Sequence, residues 1–114
     1  MRDRLEALPR GAQAARKTLL ARERARRLDL RRRHAALAVR LLAAPAPEAA
    51  ALLRRARASV DRWEREQLCS KHYISRWRER LRGPAQRAAA ALLEHDEWTD
   101  ALLQNSPWGF ALTS

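Results

Sequence analysis

The chain has 114 residues, with 24 Lys or Arg against 13 Asp or Glu, a net charge of +11 and a pI near 11.6. Hydrophobic residues make up 46%, which excludes a disordered polycation, and the length excludes two separate cores. Ala and Leu dominate while β-branched residues and Gly are scarce, so the expected fold is all-α.

A charge of this size implies attraction to a polyanion: nucleic acid, an anionic membrane or an acidic protein surface. It is unevenly spread. Residues 1–40 carry 13 basic and 4 acidic side chains, residues 41–83 carry 10 and 5, and residues 84–114 carry 1 and 4. Ala and Arg richness also marks a GC-rich coding sequence, but that bias does not by itself make base exceed acid. The lone cysteine, Cys69, excludes an internal disulfide and suggests a reducing compartment. No apolar run has signal-peptide or membrane-span length. The expectation is a soluble, cytoplasmic, bacterial protein.

In chain order, residues 1–12 read as an N-terminal arm, 13–104 as a single helical domain and 105–114 as a C-terminal tail. The first helix is predicted from Gln13 to Ala44. Its apolar residues fall at Leu8, Ala12, Ala15 and Leu19, then in a new phase at Ala21, Ala25, Leu28, Ala35, Val39 and Leu42. Both runs have the alternating three-and-four spacing of a coiled-coil-like seam, with Arg32 at a seam position. "APAPE" then breaks the chain, and Pro47 and Glu48 suit the start of a second helix, Glu48 to Leu68, with a seam at Ala49, Leu53, Ala56, Val60 and Trp63. The short connection predicts an antiparallel hairpin.

Ser70 is placed to cap a third helix, Lys71 to Arg82, with Tyr73, Ile74, Trp77 and Leu81 inward. Gly83-Pro84 ends it and opens a fourth, Pro84 to Gln104, burying Ala88, Ala91, Leu92, Trp98 and Leu102. The architecture expected is four helices: a long hairpin, a helix-turn-helix-like segment, and a C-terminal helix with a short tail.

The segment "EREQLCSKHYISRWRERLRGP", Glu64 to Pro84, carries the main functional signal. Two helices, a tight turn and a polar outer face are what a helix-turn-helix needs, although the turn lacks Gly. Arg is the commonest reader of guanine edges. On this expectation His72, Ser75, Arg76 and Glu79 face bases, while Lys71, Arg78, Arg80 and Arg82 hold phosphates. The competing view is an ordinary solvated helix in an Arg-rich protein.

A second basic element, "RKTLLARERARRLDLRRR", sets nine cations against two acids. Arg24, Arg27 and Arg31 are its candidate phosphate contacts, from a helix lying across the backbone or forking into a major groove as a dimer. A membrane surface would need large apolar residues such as Trp or Phe opposite the cations, and Leu is the best available.

Trp63 and Trp77 read as core, with indole N–H groups in want of acceptors. Trp108 and Phe110 stand in the unperiodic tail, where they either fold back on the bundle or anchor a partner protein. Cys69 and His72 make half of a zinc site at C-x-x-H spacing, with only His34 and His95 to complete it, so no metal or other cofactor is expected. "EHDEWTD", with four carboxylates, reads as a solvated helix face or as the part that meets the basic half of a second copy in a homodimer. No nucleophile with a base, phosphate loop or metal set is visible, so an enzyme is not expected.

Two functions follow. One is a DNA-binding protein, a regulator or accessory factor, contacting double-stranded DNA through helix 71–82 and the basic face of helix 13–44. It predicts that Arg76→Ala and Arg78→Ala abolish function and that deletion after Asn105 spares binding. The other is an adaptor or inhibitor that holds an acidic or nucleic-acid-handling protein through Trp108 and Phe110, and it predicts the reverse.

Overall fold

A computed structural model describes residues 10–113, and the fold is all-α: five helices, a closing 3₁₀ turn and, among the described residues, no strand. The helices are α1 (Arg10–Ala43), α2 (Ala46–Arg65), α3 (Lys71–Arg80), α4 (Ala85–Leu93) and α5 (Thr99–Gln104), with the 3₁₀ turn at Gly109–Ala111. Residues 1–9 of the expected arm, and Leu8 of the expected seam, lie outside the described residues.

The boundaries follow from local chemistry. Pro47 and Glu48 occupy the first turn of α2, where a missing N–H costs nothing and a carboxylate meets the positive helix end. α2 closes at Gln67, whose φ of 54° is the left-handed conformation that Gly usually supplies. Leu68 N–H then returns to the Trp63 carbonyl at 2.9 Å. Ser70 caps α3 by accepting from the Tyr73 N–H at 3.4 Å.

The end of α3 is held from outside. Gly83 takes a φ of 76°, and Arg57 of α2 donates to the Leu81 carbonyl at 2.9 and 2.7 Å and to the Gly83 carbonyl at 2.8 Å. A guanidinium on orphan C-terminal carbonyls satisfies them and opposes the helix dipole.

The fourth predicted helix is in fact two. α4 stops at Leu93, and α5 starts at Thr99. Between them Asp96 Oδ1 accepts the Trp98 N–H at 2.8 Å, and Thr99 Oγ1 accepts the Asp96 N–H at 2.8 Å. These short side chains offer the backbone partners outside a helix, and that competition ends the helix.

One core joins all the elements. Leu37, Ala38 and Leu41 of α1 bury with Leu53, Ala56 and Val60 of α2, Ile74, Trp77 and Leu81 around α3, and Ala88, Ala89 and Leu92 of α4. Leu102, Leu103, Trp108 and Ala111 close it from the C-terminal side. The neighbour on which α1 packs most extensively is α4 and not α2, so the expected hairpin does not form. Ala38 and Ala89, both without exposed surface, provide small side chains on the two helices.

The inward face of α1 also differs from expectation. Leu28, Val39 and Leu42 of the predicted seam are 63%, 62% and 54% exposed. Leu30, His34, Leu37, Ala38 and Leu41 turn inward instead. The choice has a physical reason. Burying the predicted seam would take Arg32 and the Asp29 that it pairs with at 2.6 Å out of water, which is costly. The face that is used brings Arg31 to Asp100 at 2.7 Å and His34 to Ser106 at 2.8 Å.

α1 outruns the bundle. Its 34 residues span about 51 Å, in a molecule measuring 58 × 31 × 22 Å. From Arg10 to Arg26 every residue except Gln13 is exposed, and burial begins at Arg27. Roughly half of α1 is therefore a cantilever.

Candidate nucleic-acid interface

The cations of α3 are present but engaged. Arg78 pairs with Glu64 and, at 3.1 Å, with Asp61, both of α2; these bonds raise its pKa further. Arg80, with a side chain 16% exposed, donates to Asp96 at 2.8 Å. Arg82 and Arg87 share Glu79, at 2.8 and 3.0 Å, and the Arg82 hydrogen bond leads the causes that hold Glu79 below the usual carboxylate range. Arg76 stacks over the Trp98 ring, 3.8 Å from its centroid.

Of the residues expected to read bases or phosphates on this helix, Lys71, His72 and Ser75 stand exposed at its N-terminal half. Arg76, Arg78, Arg80, Arg82 and Glu79 are tied to their own fold. An open groove of about 680 Å³ runs between the end of α2 and α3, and both signs of charge line it: Lys71, Arg78 and Arg82 with Glu64 and Glu79. Its charge nearly cancels, which does not favour a polyanion.

The overhanging half of α1 is the opposite case. Between Arg10 and Arg26 it carries six cations and one acid, Glu23. Glu23 lies 3.9 Å from Arg26 and 3.8 Å from Arg27. Arg16, Lys17, Arg22 and Arg24 have no acidic partner among the described residues. Of the three α1 residues expected to contact phosphate, Arg24 is thus available. Arg27 and Arg31 are drawn to Asp100 of α5, at 3.9 and 2.7 Å. Arg31's hydrogen bond is the main cause that depresses the Asp100 carboxyl.

The arm's geometry suits a groove with phosphates on both sides. Arg10, Lys17 and Arg24 recur every seven residues and so share one flank. Arg22 lies about 160° round the helix from Arg24, on the other flank. Ala14, Ala21 and Ala25 lie between, all exposed and small. An α-helix of 10–12 Å diameter with cations on both sides and Ala between can enter a major groove about 12 Å wide.

Arg16, Lys17 and Arg22 were not among the residues singled out from the sequence. A signal for them exists: none has an acid three or four residues away, whereas Arg26, Arg27 and Arg32 do.

The tail docks on its own chain. Trp108 is 1% exposed and stacks on Phe110 at 6.3 Å between centroids. Trp108 is thus core and not an anchor for a partner. Phe110, 37% exposed, lies under the Arg55 guanidinium at 4.1 Å. Arg33 Nε donates to the Thr113 carbonyl at 2.8 Å.

His34, which the sequence offered only as a stray ligand, holds the tail. It is fully buried; Nδ1 lies 2.8 Å from the Leu30 carbonyl and Nε2 2.8 Å from Ser106 Oγ. Ser106 Oγ accepts the Trp108 N–H at 3.1 Å. The consistent tautomer donates from Nδ1 and accepts the Ser106 hydroxyl at Nε2. Burial lowers the His34 pKa, a hydrogen bond to Leu30 opposes this, and the Arg33 charge adds to it.

Two of the four acids of "EHDEWTD" are used within the chain, Asp96 by Arg80 and Asp100 by Arg27 and Arg31, while Glu94 and Glu97 stay exposed. The Trp77 indole N–H is buried without an acceptor among the described residues.

Among the described residues no three His, Cys, Asp or Glu converge on a possible metal site. No helix among them is long and apolar enough to cross a membrane. Compared with protein-family models, curated proteins and solved structures, the chain finds no match in any of the three.

Proposed function

We propose that this chain is a small non-enzymatic helical protein that binds the phosphate backbone of double-stranded DNA, with the overhanging half of α1 as the principal contact. The observation that carries this reading is the contrast in availability. Among the described residues Arg16, Lys17, Arg22 and Arg24 have no acid to leave, whereas Arg78, Arg80 and Arg82 would each have to abandon one. Free cations bind by releasing condensed counterions from the duplex; paired ones first lose an attraction they already have. Lys71, His72 and Ser75 remain for a minor contact. The reading differs from the helix-turn-helix expectation in its site and keeps its class of partner. An adaptor function through Trp108 and Phe110 loses its support, because Trp108 has no surface to offer.

The test is fluorescence anisotropy of a labelled random duplex across a salt series. Six cations of the arm give an expected log–log slope of about −5. Changing Arg16, Lys17, Arg22 and Arg24 together to Gln should flatten the slope by about 3 to 4 and leave the melting temperature in place. Changing Arg78 and Arg82 to Gln should do the reverse, lowering stability and leaving the slope. A wild-type chain that fails to bind at moderate salt would sink the proposal.

A further inference from the structure

We infer that the core holds a binding site for a single water molecule, in the cavity where α3, the end of α4 and the tail meet, and that this water accepts the hydrogen bond of the Trp77 indole N–H. Trp77 is 1% exposed, and its Nε1 is the one buried side-chain nitrogen or oxygen among the described residues without a partner. The other buried polar side chains are answered. His34 meets the Leu30 carbonyl and Ser106, and Thr99 Oγ1 accepts the Asp96 N–H. A donor sealed from solvent without an acceptor bears the whole cost of its desolvation, and a water removes that cost.

The site has the right size. Trp77 lines a cavity of about 10 Å³ together with Arg80, Leu92, Glu94, Thr99 and Trp108. On the same scale one water needs about 10–15 Å³, so nothing larger is admitted. Size alone does not decide the matter, because a cavity of that kind stays dry when its walls are apolar throughout.

These walls are not. α4 ends at Leu93, so the carbonyls of its last turn lack the N–H partners that a longer helix would bring. The Glu94 carbonyl accepts from Thr99 Oγ1 at a long 3.4 Å and has a second lone pair to offer. Arg80 donates one N–H to Asp96 at 2.8 Å and carries others. A water there accepts from Trp77 and donates to the carbonyls at the end of α4, within the two to four bonds that a buried water makes. It ties α3 to α4 beside the break at 94–98. The rival partner is the ring of Trp108, which lines the same cavity, but an N–H over a ring is the weaker bond and leaves those carbonyls unmet. None of this depends on the DNA-binding reading above.

Two measurements on the unaltered chain test the site. In a chain with isotope-labelled indoles, nuclear magnetic resonance should show a through-space cross-peak from the Trp77 indole proton to water, together with slow exchange of that proton with the bulk. Relaxation dispersion of the water oxygen should then report at least one long-lived water per chain. The second measurement sees only water oxygen, so it is blind to exchange relayed by the Thr99 hydroxyl. A slowly exchanging Trp77 indole with no water cross-peak would overturn the inference, whether the N–H stands unpaired or lies over the Trp108 ring. So would a cross-peak without any long-lived water oxygen, because the signal would then come from Thr99. Fast exchange at Trp77 would overturn it as well, since the donor would then be open to the bulk.

Discussion

The two halves of α1 are built from similar residues and live in opposite circumstances. Past Arg27 one face of the helix is engaged by the rest of the fold. Arg27 and Arg31 reach Asp100, Arg33 the Thr113 carbonyl and His34 Ser106, while Leu37, Ala38 and Leu41 enter the core. Before it, Arg16, Lys17, Arg22 and Arg24 are met by no acid among the described residues. The lesson is that a net charge of +11 overstates what a ligand meets, because the bundle answers much of its own cation content internally. The arm remains helical because the anchored half has already met the cost of nucleation, and Ala, Leu and Arg propagate it.

The largest effect that could break this comparison is one substitution made in each half. Leu41→Ala empties a buried site and should cost about 2–5 kcal/mol. Leu19→Ala, at a position 60% exposed, should change stability by no more than about 0.5 kcal/mol. Chemical denaturation measures both. A loss at Leu19 as large as that at Leu41 would mean the arm is packed after all.

Acid should act on the anchored half through His34. Its folded pKa is lowered, chiefly by burial, while the unfolded chain titrates near the usual ~6.5. The unfolded state therefore binds more protons in that range, and stability rises with pH there. The contribution is complete above the unfolded value and is lost as pH falls from there through the lower folded value. Arg33 beside the ring works in the same direction, while Asp100, held by Arg31, keeps its charge to lower pH. Unfolding midpoints measured from neutral to mildly acidic pH should fall, and His34→Leu should flatten that dependence. The variant should also be less stable at neutral pH by about 1–3 kcal/mol, since Ser106 and the Leu30 carbonyl lose their partner.

How much of this could be read in advance depends on how local each decision is. The Pro45–Pro47 break, the Ser70 cap and the Gly83-Pro84 stop are settled within a turn of chain, and each was legible. So were the buried faces of α2 and α3, where one apolar stripe has no rival: Leu53, Ala56, Val60, Ile74, Trp77 and Leu81 all bury. α1 has two stripes. Which one packs is decided by α4, α5 and the tail, far away in sequence. The regular heptad drew attention to the outward stripe, and the pairing of His34 with Ser106 carried no local sign. The break at 94–98 was half legible, since Asp96 and Thr99 have turn-forming side chains; the cluster's charge masked it. For the site, composition exposed the cations, and only the fold could show which were already answered.

Asp100 marks the boundary between the two halves, so changing it should move that boundary. Asp100→Asn removes the carboxylate that draws Arg27 and Arg31 back toward α5. These side chains are each more than a third exposed, so solvent already screens the pairs and the stability lost should be below about 1 kcal/mol. The gain is in reach. Arg31 lies seven residues beyond Arg24 and continues the flank of Arg10, Lys17 and Arg24 by one more cation. The salt slope for random duplex should steepen by about 1 to 2, with a modest rise in affinity at low salt. An unchanged slope would mean that the duplex does not extend past Arg27, with the bundle blocking its approach whatever the charge. A shallower slope would contradict the arm as the contact, because releasing cations beside a phosphate-binding helix can only add to it.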